Sequence, residues 1–267
     1  MTARREDVLK ELGLWPVWRL RGPVLPALAA AEPSLQTTPA HAIAVQKDEA
    51  RPVPPQAAPT ASAALSLDAR TAQIAQMQWP QLKESVAGCI ACPLHRGRNK
   101  TVFGVGDEEA AWMFVGEGPG AEEDQKGEPF VGQAGKLLDN MLAAIDLKRG
   151  KNVYITNVVK CRPPGNRNPE AAEVAQCEPY LHRQIALIRP KLIVALGKVA
   201  AVNLLKRDAA VASMRGKLHE YQGIPLIVTY HPAYLLRSLP EKAKAWVDLR
   251  FAVETMQTLQ SRNAAPT

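Results

Sequence analysis

Four cysteines, one glycine-rich stretch, one asparagine and one histidine carry the chemistry open to this sequence. The stretch Gly116-Glu117-Gly118-Pro119-Gly120 runs on through Gly127-Glu128-Pro129-Phe130-Val131-Gly132 to Gly135. Glycines let a backbone approach a ligand closely and present N–H groups to it. The spacing matches neither G-x-G-x-x-G nor G-x-x-x-x-G-K-[ST], the two common phosphate cradles. The cysteines fall as Cys89-x-x-Cys92 and a wider pair, Cys161 and Cys177. No histidine stands at zinc-finger spacing. A four-thiolate zinc site and a 4Fe–4S cluster both suit such a set, and four unrelated buried thiols are the third alternative. Spacing does not choose between them.

Apolar runs at Ala111–Val115, Val153–Val159, Leu192–Leu196 and Leu226–Val228 must position these groups. Helical periodicity lies between and after them, at Gly135–Ile145, Glu170–Ile188, Lys198–Leu205 and Ala243–Leu259. Strands alternating with helices predict an α/β fold, a three-layer α/β/α sandwich around a four-stranded, mostly parallel sheet. Each predicted strand ends in a ligand-capable group: Gly116-Glu117-Gly118, Thr156-Asn157, Gly197-Lys198 and Tyr230-His231-Pro232. Open parallel sheets bind ligands outside these carboxyl ends. Four such ends at one sheet edge therefore predict one site.

Residues 1–66 read differently. Arg5–Arg21 can start as a short helix carrying Trp15 and Trp18, a candidate docking peptide for a protein partner. Pro23–Ser66 is rich in proline and alanine, without helical or strand period, and predicts a disordered linker. The catalytic-type domain is expected over 67–261, with a short tail at 262–267.

The net charge of +7 favours an anionic partner. No run reaches the roughly 20 apolar residues that span a bilayer, so no membrane association is expected. The alanine-rich run Val24–Ala31 lies too far along the chain, behind Glu6 and Glu11, to act as a secretion signal. A cytoplasmic monomer is the expectation.

Three motifs carry a family resemblance. They are Glu117-Gly118-Pro119-Gly120 with Phe130-Val131-Gly132, Thr156-Asn157-Val158-Val159-Lys160-Cys161-Arg162-Pro163-Pro164, and His231-Pro232-Ala233-Tyr234-Leu235-Leu236-Arg237. In this order, from about Leu82 to about Leu259, the chain resembles the family 4 uracil-DNA glycosylases, the iron–sulfur branch of their superfamily. The resemblance implies a 4Fe–4S cluster on Cys89, Cys92, Cys161 and Cys177. It implies hydrolysis of the N-glycosidic bond of deoxyuridine in DNA, the first step of base-excision repair.

Under that implication the residues take roles. Phe130 is expected beneath a flipped uracil ring. Asn157 can donate to uracil O4 and accept from N3–H, which cytosine reverses. His231, as a neutral imidazole, is expected at uracil O2, with backbone N–H groups of Glu117 and Gly118 beside it. Leu235 or Leu236 is the candidate wedge, and Arg215, Lys217 and Arg237 are candidate phosphate contacts. Well-known members of the superfamily have an Asp where this chain has Gly118, so the water is assigned to Glu117 or Glu123. The alternative is a relative that grips or covalently traps uracil-containing DNA. The trapping branch has a histidine after the Asn strand and a glutamine in the glycine motif. This chain has Gly118, and no histidine between Asn157 and Gln176.

Overall fold

The computed structural model describes residues 61–264, with side-chain surroundings from 67 to 261. Trp15, Trp18 and most of the predicted linker lie outside the described residues. Regular structure starts ahead of the expected Leu67 boundary, with α1 at Ala61–Gln76 followed by α2 at Trp79–Ala87. Pro80 stands in the first turn of α2, where its missing N–H costs nothing.

The sheet has six strands rather than the four expected. In chain order they are β1 (Val105–Gly106), β2 (Trp112–Gly116), β3 (Val153–Asn157), β4 (Leu192–Leu196), β5 (Leu218–Tyr221) and β6 (Ile224–Thr229). Their spatial order is β1-β3-β2-β4-β6-β5. The four central strands run parallel and are the four predicted, while β1 and β5 pair antiparallel at the edges. Neither added strand shows an apolar run. β1 is two residues long, and β5 exposes two of its four and buries only Tyr221. β5 joins β6 through Gln222 and Gly223, both at positive φ, as a tight hairpin requires.

Strand residues alternate between two cores. Met113, Val115, Ile193, Ala195, Leu226 and Val228 join one apolar cluster, which includes Ile74, Leu82, Val174, Leu181 and Ala201. Trp112, Phe114, Val153, Ile155, Val194 and Ile227 join the other, with Leu138, Ala252 and Met256. Burial on both faces explains why these strands read as continuous apolar runs. The first cluster draws on α1, α2, α5 (Ala171–Ile188) and α6 (Lys198–Leu205). The second draws on α4 (Gln133–Ala143) and α9 (Glu241–Ala264). The three-layer α/β/α arrangement is thus present.

The glycine stretch is not a single long loop. A short helix, α3 (Ala121–Lys126), interrupts it, and α4 begins at Gln133. Two short helices, α7 (Val211–Met214) and α8 (Pro232–Arg237), flank the β5–β6 hairpin. No helix among the described residues is long and apolar enough to cross a membrane.

Candidate active site at the carboxyl edge of the sheet

A cleft of about 580 Å³ opens at the carboxyl ends of β2, β3, β4 and β6. Glu117, Phe130, Asn157, Lys198 and His231 all line it. The register explains this meeting: Gly116 ends β2 directly opposite Asn157 at the end of β3. A side chain at position 116 would overlap the Asn157 amide oxygen and the Phe130 ring. Glycine there lets both groups reach one point. Gly197, at φ 89°, plays the same part for β4, since a Cβ would press on the Cβ of His231.

Phe130 is 6% exposed and adopts φ 55°, an uncommon conformation for a bulky residue. The surroundings hold it there. Arg149 donates to the carbonyls of Pro129 (2.8 Å) and Phe130 (2.7 Å), and is itself paired with Asp139 at 2.9 Å. The Phe130 and His231 rings lie 5.5 Å apart between centroids, tilted by 32°. Together they form a flat aromatic corner.

Asn157 is 2% exposed, and its side-chain oxygen has no hydrogen-bond partner among the described residues. Buried polar atoms are almost always paired. An unpaired amide on a ligand-sized cleft is an acceptor held for something that enters it.

His231 precedes α8 as its N-cap, and its Nδ1 accepts the Ala233 N–H at 3.2 Å. A neutral ring that accepts at Nδ1 carries its proton on Nε2. His231 is thus a neutral donor. Burial pushes its pKa down to about 4, the Arg237 charge adds to the effect, and Glu123 opposes it.

The two candidate carboxylates sit differently. Glu123 accepts from the backbone N–H groups of Gly120 (3.1 Å), Val131 (2.9 Å) and Gly132 (3.0 Å). Three backbone donors make it a clasp between α3 and the start of α4. Glu117 lines the cleft half-buried, and burial alone raises its pKa.

The four cysteines are free thiols lining one small cavity between α2, the end of β3 and α5. No three His, Cys, Asp or Glu side chains among the described residues meet closely enough to hold one ion. The thiols surround a shared space instead. Arg98 donates to Cys161 Sγ at 3.1 Å, Arg70 to Cys89 Sγ at 3.6 Å, and the Lys160 N–H to Cys177 Sγ at 3.2 Å. Burial pushes the bare Cys177 thiol up to about 12.

Residues 103–250 match the family model described as the uracil DNA glycosylase superfamily. The chain belongs to the uracil DNA glycosylase superfamily. It is 48% identical over 159 residues to a type-4 uracil-DNA glycosylase of Archaeoglobus fulgidus, covering 57% of this chain and 79% of that one. A type-4 uracil-DNA glycosylase of Pyrobaculum aerophilum is 44% identical over 171 residues, with 60% and 86% covered. One from Thermotoga maritima is 45% identical over 159 residues, with 59% and 82% covered.

Within this superfamily member, the predicted rim residues divide. Leu236 is 41% exposed, but Leu235 is 1% exposed and packs with Met141, Ala245 and Leu249. Leu235 is therefore core, not wedge, in this conformation. Arg215 also departs from expectation. Its guanidinium pairs with buried Asp248 at 2.9 Å and donates to the Lys244 carbonyl at 2.6 Å, so it braces α9 rather than facing solvent. Arg237 is exposed and lines the cleft, whereas Lys217 is exposed but does not line it. Gly118 lines the cleft beside Glu117.

Several contributors had no sequence signal. Leu239, 62% exposed, stands between α8 and α9. Asp124, 0% exposed, accepts from the Asn99 backbone at 2.9 Å and its amide at 2.6 Å, tying the basic Arg96–Lys100 segment to α3. Lys198, expected with Gly197 at a strand end, lines the cleft.

The His231 pKa has a consequence for stability. The unfolded ring takes up a proton near 6.5, while the folded ring stays neutral to about 4. The unfolded state binds more protons in that window, so stability falls as pH drops through it. His231→Gln should flatten this part of the urea-unfolding midpoint against pH. A slope identical to that of the unsubstituted protein would contradict the burial.

Proposed function

We propose that the protein hydrolyses the N-glycosidic bond between uracil and deoxyribose in DNA, initiating base-excision repair. The observation that carries this is the unpaired Asn157 amide, set beside the Phe130 ring and the neutral His231 donor. A base inside a duplex stack is out of reach, so the nucleotide must rotate out into the cleft. In this reading the exposed Leu236 fills the gap behind it, and Arg237 holds a backbone phosphate.

In this reading the uracil ring lies against Phe130. Asn157 donates to O4 and accepts from N3–H. Cytosine offers a donor at the first position and an acceptor at the second, so its entry leaves both groups mismatched. As the glycosidic bond breaks, its electron pair passes to the base and negative charge grows on O2. The His231 Nε2–H and the backbone N–H groups of Glu117 and Gly118 stabilise that oxygen. Glu117 takes the water role, since its carboxylate borders the cleft while Glu123 is spent on three backbone donors. Water then adds to the sugar carbon, and Glu117 accepts the water's proton.

The cysteine cavity fits a 4Fe–4S cluster by its donor set. Four thiols line one small cavity, and three N–H groups offset charge on the sulfurs. Cys89, Cys92, Cys161 and Cys177 would hold it. Held by these four residues, a cluster would act as a structural brace between the segment after α2, α5 and the loop after Asn157. The same reading includes cytoplasmic residence, where thiols stay reduced, and a monomer whose segment around Trp15 and Trp18 docks a protein partner.

The purified protein should be brown, with a broad absorbance near roughly 400 nm that disappears together with the iron. A colourless protein carrying zinc would contradict the cluster. Uracil-containing single- and double-stranded oligonucleotides, treated with alkali after incubation, should break at the uracil alone. Intact strands from protein with full metal content would refute the activity. Asn157→Asp should slow uracil excision by about tenfold or more and admit cytosine; unchanged selectivity would remove Asn157 from base reading.

A further inference from the structure

Lys160 has no part in the reaction above, yet its side chain is 1% exposed. Its ammonium group donates to three neutral oxygens: Thr156 Oγ1 at 2.6 Å, Gln184 Oε1 at 2.7 Å and the Asn157 carbonyl at 2.9 Å. No carboxylate pairs with it among the described residues. Burying an ammonium with neutral acceptors alone is costly, and breaking such an arrangement is costlier still. A buried methionine would fill the same space but leave those three oxygens without their donor. The ammonium therefore sets where its three acceptors lie.

The acceptors themselves are fixed. Gln184, on α5, donates to the Phe103 carbonyl at 2.9 Å, and the Thr156 hydroxyl donates to that same carbonyl at 3.1 Å. The ammonium thus holds a rigid place behind β3. From there it donates to the main-chain carbonyl of Asn157 itself. The Asn157 amide oxygen has no hydrogen bond within the described protein. Its direction must then come from the backbone. On the far side of Asn157 the chain is held by the Val158 N–H on the Gly116 carbonyl, at 3.0 Å. The main chain of Lys160 adds one more tie, its N–H to Cys177 Sγ.

We propose that Lys160 is a positioning residue for base recognition: its ammonium fixes the end of β3 so that the unpaired Asn157 amide faces the base, and its main chain joins that end to the cysteine cavity. This rests on the uracil-reading role of Asn157.

The test is a double-mutant cycle on single-turnover excision from a uracil-containing single-stranded oligonucleotide, using the full-length, iron-loaded protein. Lys160→Met should slow excision by about tenfold, the loss of one charge-assisted hydrogen bond. In the Asn157→Ala background the same substitution should change the rate by less than about twofold, because its effect passes through Asn157. An equal loss in both backgrounds would overturn the proposal, since a merely structural role is additive. Absorbance near 400 nm and the unfolding midpoint are read alongside. If Lys160→Met does not fold, Gln184→Met carries the same cycle. It keeps the ammonium and removes one oxygen that holds it. A loss of about threefold that vanishes with Asn157→Ala is expected; an additive loss, or none, overturns the proposal. Should the unsubstituted protein leave uracil in place, the function itself is wrong. An active protein with additive losses contradicts only the role of Lys160.

Discussion

An unpaired, buried amide oxygen costs a folded protein about 1–3 kcal/mol. At Asn157 this molecule keeps one, and much of the surrounding architecture follows from keeping it. Gly116 leaves room for the amide, because any side chain there would overlap it. The parallel pairing of β2 with β3 sets the two residues opposite each other. Phe130 is held at φ 55° against the same glycine, with Arg149 gripping the turn from behind. Charge is used repeatedly to hold backbone. Arg149 and Lys160 grip carbonyls, while Glu123 and Asp124 grip N–H groups. Such contacts fix a loop without a large apolar core of its own. A site held this way needs little reorganisation as charge develops on the substrate.

The same economy separates the two acids. A carboxylate accepting three backbone N–H groups has few lone pairs left for water. Glu123 clasps two helix starts, and Glu117, with burial raising its pKa, is left at the cleft. His231 follows a similar logic. The helix that it caps takes up Nδ1, so the proton remains on the nitrogen available to a ligand.

The central strands were legible because they are buried on both faces and read as unbroken apolar runs. The edge strands were not, since β1 is too short for a pattern and β5 is mostly solvated. Convergence of strand ends made the meeting of Glu117, Asn157, Gly197 and His231 legible, because a parallel sheet aligns its carboxyl ends. Adjacent leucines gave no clue to which faced inward. Helical rotation sends Leu235 to the core and Leu236 to solvent, a difference one register step would reverse. Arg215, Arg149, Asp124 and Lys160 were illegible for a common reason. Each has a partner, 33, 20, 25 and 24 residues away in turn, that only the fold brings near.

The most direct measurement is a crystal structure of the protein with free uracil. The ring should lie over Phe130, with the Asn157 amide bonded to both N3–H and O4 and the His231 Nε2 at O2. Uracil bound elsewhere, or bound with the Asn157 amide still unpaired, would contradict the claim that this buried amide is held open for the base.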